Sequence, residues 1–247
     1  MARFLVIEEH TPLLAWLAHR IGAYLPGRTR DIMLCGAEGQ IEAYHDITSE
    51  RGRKKAILRL QQAQEEGIVC TVIADEAVRQ TIAHRLAKPL CDGSILSVAL
   101  RLEHIVSEAD CQKERIALVG ADSTLGRAVA VYLAKRVRFL SLVGRSETSL
   151  QRLARRLWQT EGIATCVGRR EDSRIIKMDD LMADGDCSIA GRCTALAIAE
   201  SALFAHYLPH ERYDPITART LVEIAELARA QGISIRPKKG VSTGKFD

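Results

Sequence analysis

Along the first third of the chain, apolar residues fall in short runs separated by stretches of helical spacing, the pattern of strands alternating with helices. Residues 4–7, Phe-Leu-Val-Ile, form a run too short for a helix and rich in strand-favouring side chains. Residues 13–25 repeat at helical period and stop at Pro26-Gly27, and 31–35 makes a second strand-like run closed by Gly36. Ala56, Ile57, Leu60 and Ala63 mark one face of a helix over 52–66. Gly67 supplies a left-handed residue past its end, and 68–74 reads as a strand. A helix over 76–86, broken at Lys88-Pro89, completes an α/β layer of three strands. Asp92-Gly93-Ser94 then precedes a helix over 95–106 with Leu96, Ala99, Leu100 and Ile105 on its apolar face.

The pattern is sharpest at 116–145. Residues 116–119 are uniformly apolar, as in a strand buried on both faces, and Gly120 ends the run where a tight turn is needed. Leu125, Ala128, Val129, Tyr132 and Leu133 follow at helical spacing, and 139–143 is the next buried run. Strand, glycine turn, helix and strand make the first half of a dinucleotide-binding unit. Downstream, 150–158 is a basic amphipathic helix and 163–167 a third strand candidate. Residues 168–191 show little periodicity, with 187–190 as their one strand-like run. Helices are predicted over 195–207 and 218–231, the second with Thr217 as N-cap and Gly232 just past its end.

The predicted fold is therefore α/β, a shortened Rossmann-like parallel sheet over 112–192 plus a smaller N-terminal α/β domain over 1–106. C-terminal helices over 195–233 pack between or onto the domains, and 236–247 is expected to be a mobile tail.

The glycine turn carries the candidate chemistry. Gly120, Ala121, Ser123, Thr124, Leu125 and Gly126 are the expected pyrophosphate-binding residues, with Gly126 letting the helix approach the strand and a phosphate approach the helix N-terminus. Ser123 stands where a second glycine is common, so its hydroxyl either binds a phosphate or narrows the approach to the backbone amides. Asp122 puts a negative charge nearby, unfavourable to a phosphate unless the side chain caps the helix or points away. The end of the second strand reads Gly144-Arg145-Ser146, without the carboxylate that would hold a ribose 2′-hydroxyl. Arg145 and Ser146 are thus candidates to bind a 2′-phosphate, making NADP the first expectation and NAD the second. A solvated Arg145 and a purely structural strand-turn-helix remain the alternatives.

Charge and cysteines narrow the classes. The net charge of +4, from 35 basic and 31 acidic residues, is a small excess that points to neither nucleic acid nor membrane. Aromatic residues at 4% argue against base stacking as a recognition mode. No run reaches the ~18 apolar residues of a membrane span, and residues 1–9 lack a signal-peptide core. The 7 cysteines are scattered without a Cys-x-x-Cys pair, as suits free thiols in a cytoplasmic protein. His206 and His210 alone have ligand spacing, but Pro209 between them and the lack of a third ligand leave no metal site expected.

With these elements placed, the chain resembles the shikimate-dehydrogenase-like "predicted amino acid dehydrogenase" family, which includes the long-chain acyl-carrier-protein reductases. Residues 53–73 look like that family's helix and strand before its active-site loop, and Asp92-Gly93-Ser94 with 97–103 look like its Thr-Gly-Asn-Ser turn and long helix. Val119-Gly120-Ala121 through Gly126-Arg127-Ala128 are similar to its glycine loop. Ala199-Glu200-Ser201-Ala202-Leu203, Ile216-Thr217 and 224–228 up to Gly232 look like its last helices. The resemblance implies an NAD(P)-dependent oxidoreductase acting on a small-molecule or acyl substrate, with self-association left open. It also shows two departures. Ala197 stands where the reductases carry the thioester-forming cysteine, with Cys193 one helical turn upstream as a weak substitute; Lys88 is a weak candidate for a shikimate-type catalytic lysine. Only residues 168–194 separate the third strand from the next helix, so the nicotinamide half is short. The alternative is a pseudoenzyme, a non-catalytic nucleotide- or partner-binding relative.

Overall fold

The apolar run at 4–7 becomes the centre of a sheet because it is buried on both faces: Phe4, Leu5, Val6 and Ile7 are all 1% exposed or less. It lies in β1 (Arg3–Glu9), flanked by β3 (Ala37–Tyr44) and β4 (Val69–Ile73), both parallel to it, with β2 (Thr29–Leu34) antiparallel to β3 at the edge. The computed structural model describes residues 2–9, 29–44, 46–108, 114–168, 173–182, 190–207 and 216–233. They fall into two units, Met1–Gly93 with Cys193–Tyr213 and Ser94–Arg192 with Asp214–Asp247.

In the first unit, Leu5 and Ile7 join Cys70 and Val72 beneath Ala56, Leu60 and Ala63 of α1 (Glu50–Glu65) and Val78 and Ile82 of α2 (Glu76–Ala83). Ser49 and Asp75 cap the two helices, accepting from the backbone N–H of Gly52 and of Ala77. Gly67 takes the expected positive φ. The sequence predicts three strands here, and the described residues form four. In the unexpected strand β3, the buried positions are Ala37, Gly39, Ile41 and Ala43, so alternation is present but written in small side chains. Gly39 is small for a reason: a Cβ there would lie 2.1 Å from the Phe4 ring. Cys35 and Gly36, both at positive φ, form the two-residue turn from β2. The helix predicted over 13–25 lies outside the described residues.

The second unit opens with α3 (Ser94–Glu108), followed by β5 (Arg115–Val119), α4 (Thr124–Ala134), β6 (Phe139–Val143), α5 (Glu147–Glu161), β7 (Thr165–Val167), β8 (Ser173–Lys177) and α6 (Met178–Met182). Its four strands run parallel in the order β7-β6-β5-β8. Ile116, Ala117 and Leu118 are fully buried, as a central parallel strand requires. The sequence-based division places 95–106 with the N-terminal domain, whereas α3 groups with the second unit. Its Ser97 hydroxyl donates to the Leu181 carbonyl at 2.9 Å, and its apolar face packs on α6 and on α8 (Ala218–Ala230).

A second correction concerns 168–191. The structure places a strand, β8, that the pattern did not show, and Ala190 belongs to α7 (Ala190–His206), while 187–189 lie outside the described residues. Ser-Arg-Ile-Ile-Lys carries only two apolar residues, too few to stand out as a strand. Most of α7 belongs to the first unit, where a Cβ on Gly93 would meet the Ala197 N–H nitrogen at 3.0 Å. Thr217 caps α8 and Gly232 follows it at positive φ, both as predicted.

Candidate nucleotide site

The chain winds from β5 outward through β6 to β7, then returns to place β8 on the other side of β5. This 3-2-1-4 order opens a crevice at the carboxyl end of β5, the place where parallel α/β sheets bind ligands. The glycine turn stands at that end.

Gly120 takes φ +87°, a conformation that favours glycine, and its N–H and that of Ala121 both donate to the Val143 carbonyl, at 2.8 and 3.1 Å. The turn is thereby tied to the end of β6. Ser123 is the N-cap of α4: its hydroxyl accepts from the Gly126 N–H at 3.0 Å and donates to the Gly120 carbonyl at 2.9 Å. In this structure the hydroxyl holds the helix start together. Gly126 lets α4 pack close to the end of β5, because a Cβ there would lie 2.1 Å from the Gly120 carbonyl oxygen. Arg127 reaches back from α4 and donates to the Asp122 carbonyl through Nε and Nη2. From α6, Met178 closes over the turn, 3.1 Å from where a Gly120 Cβ would be.

The N–H groups of Thr124 and Leu125 lie in the first turn of α4, ahead of any helical carbonyl that reaches them, and have no acceptor among the described residues. Unpaired N–H groups of this kind at a helix N-terminus are suited to an anion.

Asp122 does not cap α4, whose N-cap is Ser123; its side chain turns instead to the end of β6. Its Oδ2 accepts from the backbone N–H groups of Arg145 at 2.9 Å and Ser146 at 3.1 Å. Those two bonds, that from Ser146 foremost, hold its carboxyl below the usual aspartate range against a smaller desolvation effect, with the Arg145 charge helping. The contact needs Gly144, where a Cβ would sit 2.2 Å from Asp122 Oδ1. The end of β6 thus has a carboxylate after all, delivered by the neighbouring loop. Asp122 and Arg145 are 23 residues apart, and only the paired occurrence of Asp in the turn and Gly at the strand end hinted at the contact. Ser146 also caps α5 through its hydroxyl, accepting from the Ser149 N–H at 3.3 Å, while the Arg145 side chain is exposed.

The structure therefore gathers Gly120, Ala121, Ser123, Thr124, Leu125, Gly126, Arg145 and Ser146 in one unit, around one turn and the adjoining loop. Lys88 belongs to the first unit, where its ammonium donates to the Gln64 carbonyl at 2.9 Å near the carboxyl end of α1, and its peptide exchanges two bonds with the Gln64 amide. Cys193 lies on α7, but its side chain is outside the described residues. Ala197 is buried on the same helix. His206 packs edge-on against Tyr207 at 4.4 Å, and His210 lies outside the described residues. Among the described residues no cluster of three His, Cys, Asp or Glu is placed to hold a metal, and no helix is long and apolar enough to cross a membrane.

No protein-family model and no curated protein matches the sequence. Among solved structures, the chain is similar to quinate dehydrogenase from Corynebacterium glutamicum in complex with NAD, at a TM-score of 0.36 and 12% identity over 93% of this chain and 99% of that one. It is similar to L-tryptophan dehydrogenase from Nostoc punctiforme, at a TM-score of 0.31 and 10% identity over 94% and 84% of the two chains. A third likeness is to ligand-free 5-ketofructose reductase of Gluconobacter sp. strain CHM43, at a TM-score of 0.32 and 13% identity over 91% and 98%. These TM-scores all lie below 0.5, so what the site does must follow from its own residues.

Proposed function

We propose that the turn between β5 and α4 binds the pyrophosphate of a nicotinamide dinucleotide and that the protein is an NAD(P)-dependent oxidoreductase. One observation carries this reading. At the point where the parallel sheet reverses its winding, the glycine turn between Gly120 and Gly126 leads into α4, and the Thr124 and Leu125 N–H groups have no acceptor among the described residues and can meet an anion.

The fit is chemical as well as topological. A pyrophosphate needs aligned donors at a positive end, and the first turn of α4, which the missing Gly126 Cβ lets pack against the Gly120 carbonyl, supplies both. The adenosine side would lie toward the end of β6, beside Asp122, Arg145 and Ser146. The nicotinamide supplies the hydride chemistry, and Met178 of α6 would present an apolar wall on that side of the turn. The substrate class is a small molecule or an acyl thioester, as the family resemblance implies.

Ala197 favours a second reading, a relative that binds the nucleotide without turning it over. Calorimetric titration with NAD+, NADH, NADPH and AMP, followed by absorbance of the nicotinamide with candidate hydroxy acids, amino acids and acyl thioesters, separates the two. Binding with hydride transfer supports the oxidoreductase, and binding of adenine nucleotides without transfer supports the second reading. A folded protein that binds none of them overturns both.

A further inference from the structure

We infer that Asp122 selects the nucleotide, admitting a dinucleotide with free ribose hydroxyls and excluding one with a 2′-phosphate. This rests on the reading of the turn as a nucleotide site, and it reverses the order in which the sequence ranks NADP and NAD.

A 2′-phosphate carries up to two negative charges and needs donors at the end of the second strand. The donors there are the N–H groups of Arg145 and Ser146 at the entrance to α5, and Asp122 Oδ2 holds both, at 2.9 and 3.1 Å. A phosphate would have to expel a bonded carboxylate or stand beside it, and like charges at such range repel. The Arg145 guanidinium is exposed, so solvent screens the attraction it would offer in return. A ribose hydroxyl meets the opposite situation. It donates, and a carboxylate bonded through Oδ2 to two amides still has lone pairs to accept with.

The local geometry is committed to this arrangement from both sides. Gly144 lacks the Cβ that would come within 2.2 Å of Asp122 Oδ1, and Arg127 holds the Asp122 peptide in place from the next turn of the helix. The acidic residue that commonly stands on the second strand itself in such folds is here provided by the glycine turn.

The test is paired calorimetric titration of NAD+ and NADP+ at one ionic strength, on the full chain and on Asp122→Asn and Asp122→Ala, each checked for native circular dichroism. The wild type is expected to bind NAD+ at least tenfold more tightly than NADP+. Both variants should lower that ratio at least tenfold, mainly by gaining NADP+. Asp122→Asn keeps one oxygen that can accept from both amides, so it reports on the charge even where Asp122→Ala loosens the loop. Equal binding of the two nucleotides by the wild type, or an unchanged ratio in Asp122→Asn, overturns the selector and leaves the nucleotide reading standing. Failure of the folded wild type to bind either nucleotide overturns the nucleotide reading, and the selector with it.

Discussion

Gly126 tolerates nothing larger than hydrogen, because the atom a Cβ would strike at 2.1 Å is the backbone oxygen of Gly120, which cannot rotate aside. Gly126→Ala must therefore move α4 away from β5, and overpacking of this kind costs about 1–3 kcal/mol. Denaturant unfolding should show that loss, and nucleotide affinity should fall with it. Asp122 makes a different kind of prediction. Its carboxyl is held below the ordinary aspartate value of about 3.9, so the stability it contributes is complete above that value and disappears as pH falls through the depressed one. Wild type should exceed Asp122→Asn in unfolding free energy at neutral pH, and the difference should close on acidification below both values; a gap that persists there would show that the effect is not ionic. The glycines were legible because each answers a local need of backbone or packing. The Asp122 contact was not, since it joins two loops that share no local pattern, and sequence spacing says nothing about which amides a loop carboxylate finds.

At the scale of elements, the same contrast separates helices from strands. α8 was readable at both ends because Thr217 and Gly232 are termini signals that act within one turn. β3 and β8 were not, because a strand's identity depends on its neighbours: β3 is accepted for how Gly39 receives Phe4, and β8 for pairing with β5 from Arg115↔Ser173 to Val119↔Lys177. The start of α4 offers a test that divides stability from binding. Ser123→Ala removes both bonds of the cap hydroxyl and should cost about 1 kcal/mol, whereas Ser123→Gly at a cap costs only a few tenths. Glycine also releases the Gly126 N–H and widens the approach to the turn. Ser123→Gly is therefore expected to bind dinucleotide severalfold more tightly than wild type while melting slightly lower, and calorimetry beside thermal unfolding checks both halves.

For the molecule as a whole, the sheet order of the second unit fixes where any ligand effect should be felt. A nucleotide that binds only the folded chain at about 100 times its Kd adds about 2.7 kcal/mol to stability, whatever its contacts. The location of the added protection is the sharper observable. Amide hydrogen exchange should slow at Thr124 and Leu125, whose N–H groups have no acceptor among the described residues and would gain one from a pyrophosphate. The N–H groups of Arg145 and Ser146 are already bonded to Asp122, so NAD+ should change their exchange little. In Asp122→Ala those two amides lose their acceptor, exchange faster in the free protein, and become protected by NADP+ but not by NAD+. Protection appearing instead around Lys88, whose ammonium is engaged by the Gln64 carbonyl, would move the site to the first unit and away from the glycine turn.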